Sequence, residues 1–418
     1  MEKLVITGGR KLSGDIRIGG AKNAALPMIA AALLTSEECI FTNVPCIEDT
    51  RLMVQLLGQL GCDVEFDERR HRVSVRARDI TSVTAPKELV SKMRASFMVT
   101  GPLLSRFGEA RSPQPGGCAI GARPKNVDIK GFVTMGATLT MEDGDYVFRS
   151  QGMRGEKIYL DYPSHTGTEN LMMTACLVPG RTVIKNACAE PEIVALAACL
   201  NRMGARISGA GTSVIEIEGV ERLRGVQERV IPDRLEAGTY AIAAAVTGGE
   251  VMLYDVYVSH MDPLTHKLGE VGVEVEEGVG TYLVRAGKRL DAVEVQTLHY
   301  PGFPTDLQAP FAVLLTQANG VSLVHERVFN DRLQYAAELA KMGAQIKVDG
   351  QTAAITGPTR LKGAPVRALD IRSGAAMILA GLAAEGQTEV LDVQHVYRGY
   401  EDIEGKLRRL GAEVRKEV

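Results

Sequence analysis

The chain has 418 residues, enough for about two to four domains that each bury a core. Apolar residues make up 45% and charged residues 24%, which excludes a disordered, collagenous or fibrous protein. Lys plus Arg (48) nearly balance Asp plus Glu (51), for a net charge of -3 with no long run of one sign. No electrostatic footprint for nucleic acid stands out, and any anion must be held locally.

Residues 1–10 lack the apolar core of a secretion signal, and the longest apolar run, 24–34, is about half the ~20 residues of a bilayer span. A cytoplasmic protein without membrane or nucleic-acid partners is expected. The cysteines at 39, 46, 62, 118, 176, 188 and 199 are odd in number and lack paired metal spacing. Four of them (62, 176, 188, 199) sit in apolar contexts and read as core residues, so neither disulfides nor a zinc site is expected. Trp is absent, which argues against base stacking.

Six segments share one pattern of helical stretch, glycine and alternating strand: LLGQLGCDVEF, FVTMGATLTM, LNRMGARISG, HKLGEVGVEVEE, LAKMGAQIKV and LRRLGAEVRK. Their marker glycines are Gly61, Gly136, Gly204, Gly272, Gly343 and Gly411, spaced by 68 to 75 residues, so the repeat covers the chain. In the first, Leu52, Met53, Leu56, Leu57 and Leu60 recur at helical spacing, the glycine ends the helix, and Cys62, Val64 and Phe66 alternate. Upstream of each marker lies a more apolar helix (AALPMIAAALL, AIAAAVTG, AAMILAGLAAEG), then a short strand such as CIFTNVP, RTVIKNA or TEVLDVQ. Each unit therefore reads helix, strand, helix, strand, strand.

Helices apolar all round must be buried, which predicts an α/β fold of two similar three-unit domains with central helices, an inside-out α/β barrel rather than a flat sheet. Only seven residues follow Gly411, so the strand-like segments 4–7 and 15–18 are expected to complete the sixth unit. The expected domains are 22–232, and 233–418 with 1–21, with the active site in the cleft between them.

Aligned on the marker glycine, the buried helices start near Lys22, Arg94, Thr166, Arg234, Asp306 and Arg372, and the second helices near Arg123, Glu190, Arg332 and Arg398. Helix starts offer free N–H groups and a positive dipole end, so cations there converge on anions; the plain alternative for each is an exposed charge. Lys22 and Asn23, in GGAKNAALP, suit a phosphate contact although the P-loop pattern is missing. Residues 112–124, SPQPGGCAIGARP, read as a loop and mobile lid with Cys118 exposed at its centre, a thiol near basic groups. His165 reads as a surface-loop histidine. Asp306, in FPTDLQAPF, occupies an expected N-cap position; capping explains it, and so does a general base.

The strings GGAKNAALP (19–27), MRASFMVTGPLL (93–104), PGGCAIGARP (115–124), AEPEIV (189–194), PGFPTDLQ (301–308) and RGYEDIEGKL (398–407) together resemble the UDP-N-acetylglucosamine 1-carboxyvinyltransferases, of the enolpyruvyl transferase family. The resemblance runs from end to end. It implies transfer of the enolpyruvyl group of phosphoenolpyruvate to the sugar 3-hydroxyl, by addition and elimination, without metal or organic cofactor. By position, Lys22, Asn23, Arg123 and Arg398 resemble the groups around phosphoenolpyruvate. Cys118 resembles the lid thiol that protonates or captures it and that fosfomycin alkylates. Asp306 resembles the base facing the sugar hydroxyl. Asn23, Arg94, Arg123, Ser164 and Val328 fall where the family contacts the nucleotide sugar, and Asp370 and Arg372 where charged residues line the cleft. Two segments depart: Lys125, Asn126, Val127, Asp128 stand for the family's Val-Asp-Leu-His, and Ser164, His165, Thr166, Gly167, Thr168 for Ser-Val-Gly-Ala-Thr. Both belong to the nucleotide end, which leaves open a different nucleotide or nucleotide sugar as acceptor, or a noncatalytic binding protein.

Overall fold

The computed structural model describes residues 2–113 and 126–417. Among these, the chain divides into two compact units, one formed by residues up to Gly19 and from Pro232 onward, the other by residues between Gly20 and Ile231.

In the first unit the helices Arg234–Val246, Thr305–Leu315 and Ile371–Ala383 pack pairwise at the centre. Every residue of Arg234–Val246 is buried; its alanines from Ala237 to Ala245 pack closely, and its charged residues Arg234 and Glu236 stand in the first turn. In the second unit the central helices are Lys22–Ala31, Thr100–Phe107, led in by the 3-10 turn Arg94–Val99, and His165–Ala175. Ala24 through Ala31 are all buried. Around each trio stand short mixed sheets, with the predicted hairpin following each second helix.

The marker glycines have φ between 91° and 105°, the left-handed region that an L side chain rarely adopts, and each ends or closely follows the second helix of its unit. Gly20 has a different constraint: a Cβ there would overlap the carbonyl oxygen of Asn43.

Four of the six repeat units end in an element that the sequence pattern does not show. Short strands at Lys157–Tyr159, Gln227–Arg229, Glu294–Gln296 and Pro365–Arg367 end their units and pair in parallel with the first strand of another. Gln227–Arg229 returns to Glu38–Thr42, so the donation runs in a circle within the second unit. There the link between Thr84 and Arg111 is reduced to a single parallel bridge.

The N-terminal segment completes the first unit as expected. Lys3–Thr7 lies antiparallel between Gln387–Leu391 and Glu413–Glu417, with Leu4 opposite Val390 and Lys416, and Ser13–Arg17 pairs in parallel with Glu250–Tyr254. Ser112 and Pro113, expected in a loop, belong instead to the strand Glu109–Pro113, whose ladder with Asp145–Ser150 extends that far. Two second-helix starts also differ. Arg332 precedes Tyr335–Lys341, and Arg398 closes the 3-10 turn Val393–Arg398, because Asp402 caps a separate helix, Ile403–Arg409, through Gly405 N–H. Among the described residues, no helix is long and apolar enough to cross a membrane.

Ile6 is fully buried in a strand that bridges two others from the far end of the chain. Ile6→Ala is expected to cost about 2–5 kcal/mol in urea unfolding, as for a core residue; a loss under 0.5 kcal/mol would show that this strand is dispensable.

Candidate active site

Asp306 is not a helix cap. Pro304 holds the N-cap position of Thr305–Leu315 in extended conformation, which leaves Asp306 in the first turn with its carboxylate directed elsewhere. Arg332 Nη2 donates to Oδ1 at 2.7 Å and Arg372 Nε to Oδ2 at 3.0 Å. The two arginine side chains are 3% and 5% exposed and the Asp306 side chain 26%, so a partly open carboxylate is backed by two buried guanidinium groups. Each guanidinium also rests on a ring, Arg332 on Phe329 at 5.3 Å and Arg372 on Tyr400 at 5.2 Å. The Tyr400 hydroxyl bonds Thr239 Oγ1 at 2.8 Å. Nη1 of both arginines is buried without a hydrogen-bond partner, leaving two donors available beside the carboxylate.

The neighbouring loop is tied down as well. Glu326 Oε1 accepts from the N–H groups of Val328 (2.7 Å) and Phe329 (2.9 Å), and Oε2 from the Thr305 hydroxyl at 2.8 Å. This fixes Val328, half-buried, relative to the helix that carries Asp306. Asp370 caps Ile371–Ala383 through the N–H groups of Arg372 (2.7 Å) and Ser373 (3.1 Å), so it sets the direction of the Arg372 helix and its carboxylate is committed there. Arg234 begins its helix 5.5 Å from the Tyr300 ring, behind the cap Asp233. Burial pushes the Glu236 carboxyl above its ordinary range, against the pull of Lys406 at 2.5 Å. Arg398 is half-buried.

In the other unit Lys22 is the first residue of its helix, and its ammonium lies 3.2 Å from Asp49, which is 3% exposed and belongs to the first turn of Glu48–Gln59. Asp49 was not picked out in the sequence, because an acidic residue in a first turn is ordinary. Asn23 follows in the same turn, half-buried, and Arg94 opens the 3-10 turn Arg94–Val99. Ser164 caps His165–Ala175 by accepting from Gly167 N–H at 3.1 Å. Cys118 and Arg123 lie outside the described residues.

His165 is not a surface-loop histidine. It is the first residue of a buried helix, with Nδ1 3.3 Å from Glu169 and Nε2 3.3 Å from Glu190. Burial works against a charge on the ring, although 23% of the side chain remains accessible, but Glu169 and Glu190 outweigh it and hold the imidazole pKa up at about 10. Asp128, from the other unusual segment, is also structural: it accepts from Asn170 Nδ2 at 2.9 Å in the core. The thiols of Cys39, Cys62 and Cys176 are pushed by burial to about 11, 12 and 12, so they are packing residues and not nucleophiles.

A sequence model of the family described as EPSP synthase (3-phosphoshikimate 1-carboxyvinyltransferase) matches residues 6–407. The chain is 49% identical over 412 residues to UDP-N-acetylglucosamine 1-carboxyvinyltransferase 1 of Caldanaerobacter subterraneus subsp. tengcongensis, covering 99% of each. It is 50% identical over 418 residues to UDP-N-acetylglucosamine 1-carboxyvinyltransferase 2 of Carboxydothermus hydrogenoformans, covering 100% of this chain and 99% of that one. Among solved structures, the enolpyruvyl transferase NikO from Streptomyces tendae superposes with a TM-score of 0.91 at 26% identity, over 99% of this chain and 98% of that one.

Asp306→Asn removes the charge that two buried guanidiniums share. The expected cost is about 2 kcal/mol in urea unfolding, below the roughly 3–5 kcal/mol of a fully buried pair because the carboxylate is partly exposed. No change in midpoint would mean that the arginines do not depend on it.

Proposed function

The chain belongs to the EPSP synthase family, and on that premise we propose that it transfers the enolpyruvyl group of phosphoenolpyruvate to the 3-hydroxyl of UDP-N-acetylglucosamine, releasing phosphate, in the first committed step of peptidoglycan synthesis. The observation that carries this reading is the identity of about half of all positions, over essentially the whole length of both chains, with relatives named for that reaction.

The chemistry makes definite demands. The sugar oxygen bonds to C2 of phosphoenolpyruvate while C3 takes a proton and becomes a methyl group. The tetrahedral ketal then loses a C3 proton as its C–O bond to phosphate breaks, restoring the double bond. One acid, one base and fixed positive charge for a carboxylate and a phosphate are needed. In this reading Cys118 delivers the proton to C3 or captures the enolpyruvyl group, and Lys22, Arg123 and Arg398 neutralise the substrate anions, with Asn23 beside them. Asp306 accepts the sugar hydroxyl. Bracketed by Arg332 and Arg372, its carboxylate is fixed in direction, so its first contribution is to aim the hydroxyl, with proton removal following as the new C–O bond forms. Arg94, Ser164 and Val328 serve the nucleotide sugar. Asp370 and Arg372 act through the start of the helix Ile371–Ala383.

A second reading keeps the reaction and changes the acceptor to another nucleotide or nucleotide sugar. The burial of His165 among carboxylates, in a segment where the family has valine, is what favours it.

Phosphate release from phosphoenolpyruvate with UDP-N-acetylglucosamine, UMP or 3-phosphoshikimate as acceptor separates the readings. Release with UDP-N-acetylglucosamine alone is expected; release with UMP alone supports the second reading, and release with 3-phosphoshikimate alone, or with none, contradicts both. Cys118→Ser is expected to slow turnover and abolish inactivation by fosfomycin, and unchanged values would remove Cys118 from the mechanism. Asp306→Asn is expected to lower kcat roughly 10²- to 10⁴-fold in folded protein, the range for a lost proton-transfer group.

A further inference from the structure

The carboxylates around His165 form a cluster that the proposed reaction does not use. The residue opens the helix His165–Ala175, while Glu190 is the N-cap of Pro191–Arg202 and Glu192 lies in that helix's first turn. Nδ1 of the ring faces Glu169 Oε2 at 3.3 Å and Nε2 faces Glu190 Oε2 at 3.3 Å. One ligand atom each from His165, Glu190 and Glu192 lies within 4.8 Å of the other two. Glu169 is fully buried, its carboxylate in ion-pair contact with Nδ1 but in hydrogen-bond geometry with no group, and His165 Nε2 is likewise buried without a hydrogen bond.

A neutral ring that keeps its proton on Nδ1, toward Glu169, turns the Nε2 lone pair toward two carboxylates. Three electron-rich atoms then converge on one point, even though Glu190 Oε2 also accepts from the Cys188 thiol at 2.9 Å, and the positive charge they call for is either the ring's second proton or a cation that displaces it. A carboxylate behind the far nitrogen of an imidazole is also the arrangement that orients metal-ligating histidines. We propose that His165 Nε2, Glu190 and Glu192 form a binding site for a divalent transition-metal cation, with Glu169 orienting the imidazole. One nitrogen and two carboxylate ligands suit zinc, manganese or cobalt, and bond lengths near 2.0–2.2 Å require only modest side-chain rotation from the observed separations. The site would pin the starts of two helices, His165–Ala175 and Pro191–Arg202, to one another.

The test uses untagged full-length protein freed of metal by chelator dialysis. Calorimetric titration with zinc is expected to show one site per chain that is lost in His165→Val, the residue type usual in the family at this position. Glu169→Gln is expected to weaken binding roughly 10- to 100-fold, as for loss of an orienting partner. Glu190→Gln, nearly unchanged in shape, gives a second test should His165→Val fail to fold, and it too is expected to lose the site. Cobalt bound at the site should give d–d absorption without a thiolate charge-transfer band. Zinc binding equal in wild type, His165→Val and Glu190→Gln, or no binding in any, overturns the proposal and leaves a protonated imidazole held by carboxylates.

Discussion

The constraint on which everything else depends is the burial of six central helices, three in each unit. A helix of that kind cannot be satisfied by one neighbour, because any uncovered face would leave Ala, Leu and Ile in water. Each unit therefore gathers three of them and surrounds them with sheet. Closing such an assembly takes strands from distant sequence: Gln227–Arg229 returns to Glu38–Thr42, and Lys3–Thr7 crosses to Gln387–Leu391.

Burying those helices also decides where polar chemistry can sit. Charged side chains are scarce in the helix interiors, Glu169 in His165–Ala175 being an exception, and most collect at helix starts, where unsatisfied N–H groups and the dipole already favour anions. Lys22, Arg94 and Arg234 open their helices or turns, and Arg372 and Asp306 lie in first turns. Asp306 gains its directed carboxylate because it is bracketed rather than capping. Arg332 and Arg372 hold both oxygens while a quarter of the side chain remains accessible, which suits a group that must meet a hydroxyl.

Much of this was legible in the sequence because a sixfold repeat multiplies weak local signals. The marker glycines, the buried helices and the return of residues 4–7 and 15–18 could all be read from spacing alone. The three-residue parallel strands could not: KIY, QER, EVQ and PVR are too short to show alternation, and they exist because a neighbouring strand edge needs partners. Asp306 was read partly as a cap because Asp is common there, and the preceding proline, which displaces the cap by two positions, was given no weight. The environment of His165 depends on Glu190, legible in the sequence only as a second-helix start and brought to the ring from a different helix by the tertiary fold. Asp49 and Glu326 were missed for the same reason: each matters through a partner remote in sequence, Lys22 in one case and Thr305 in the other.

The account assigns to this chain the transfer of a carbon fragment, with phosphate as the leaving group, and not the transfer of a phosphoryl group. Phosphoenolpyruvate labelled with ¹⁸O at the oxygen bridging carbon and phosphorus distinguishes the two directly. Mass spectrometry of the products with UDP-N-acetylglucosamine as acceptor should find the label in inorganic phosphate, because the C–O bond breaks. Label retained in pyruvate, with phosphate on the acceptor or in water, would mean that the P–O bond breaks and would contradict the mechanism at its root.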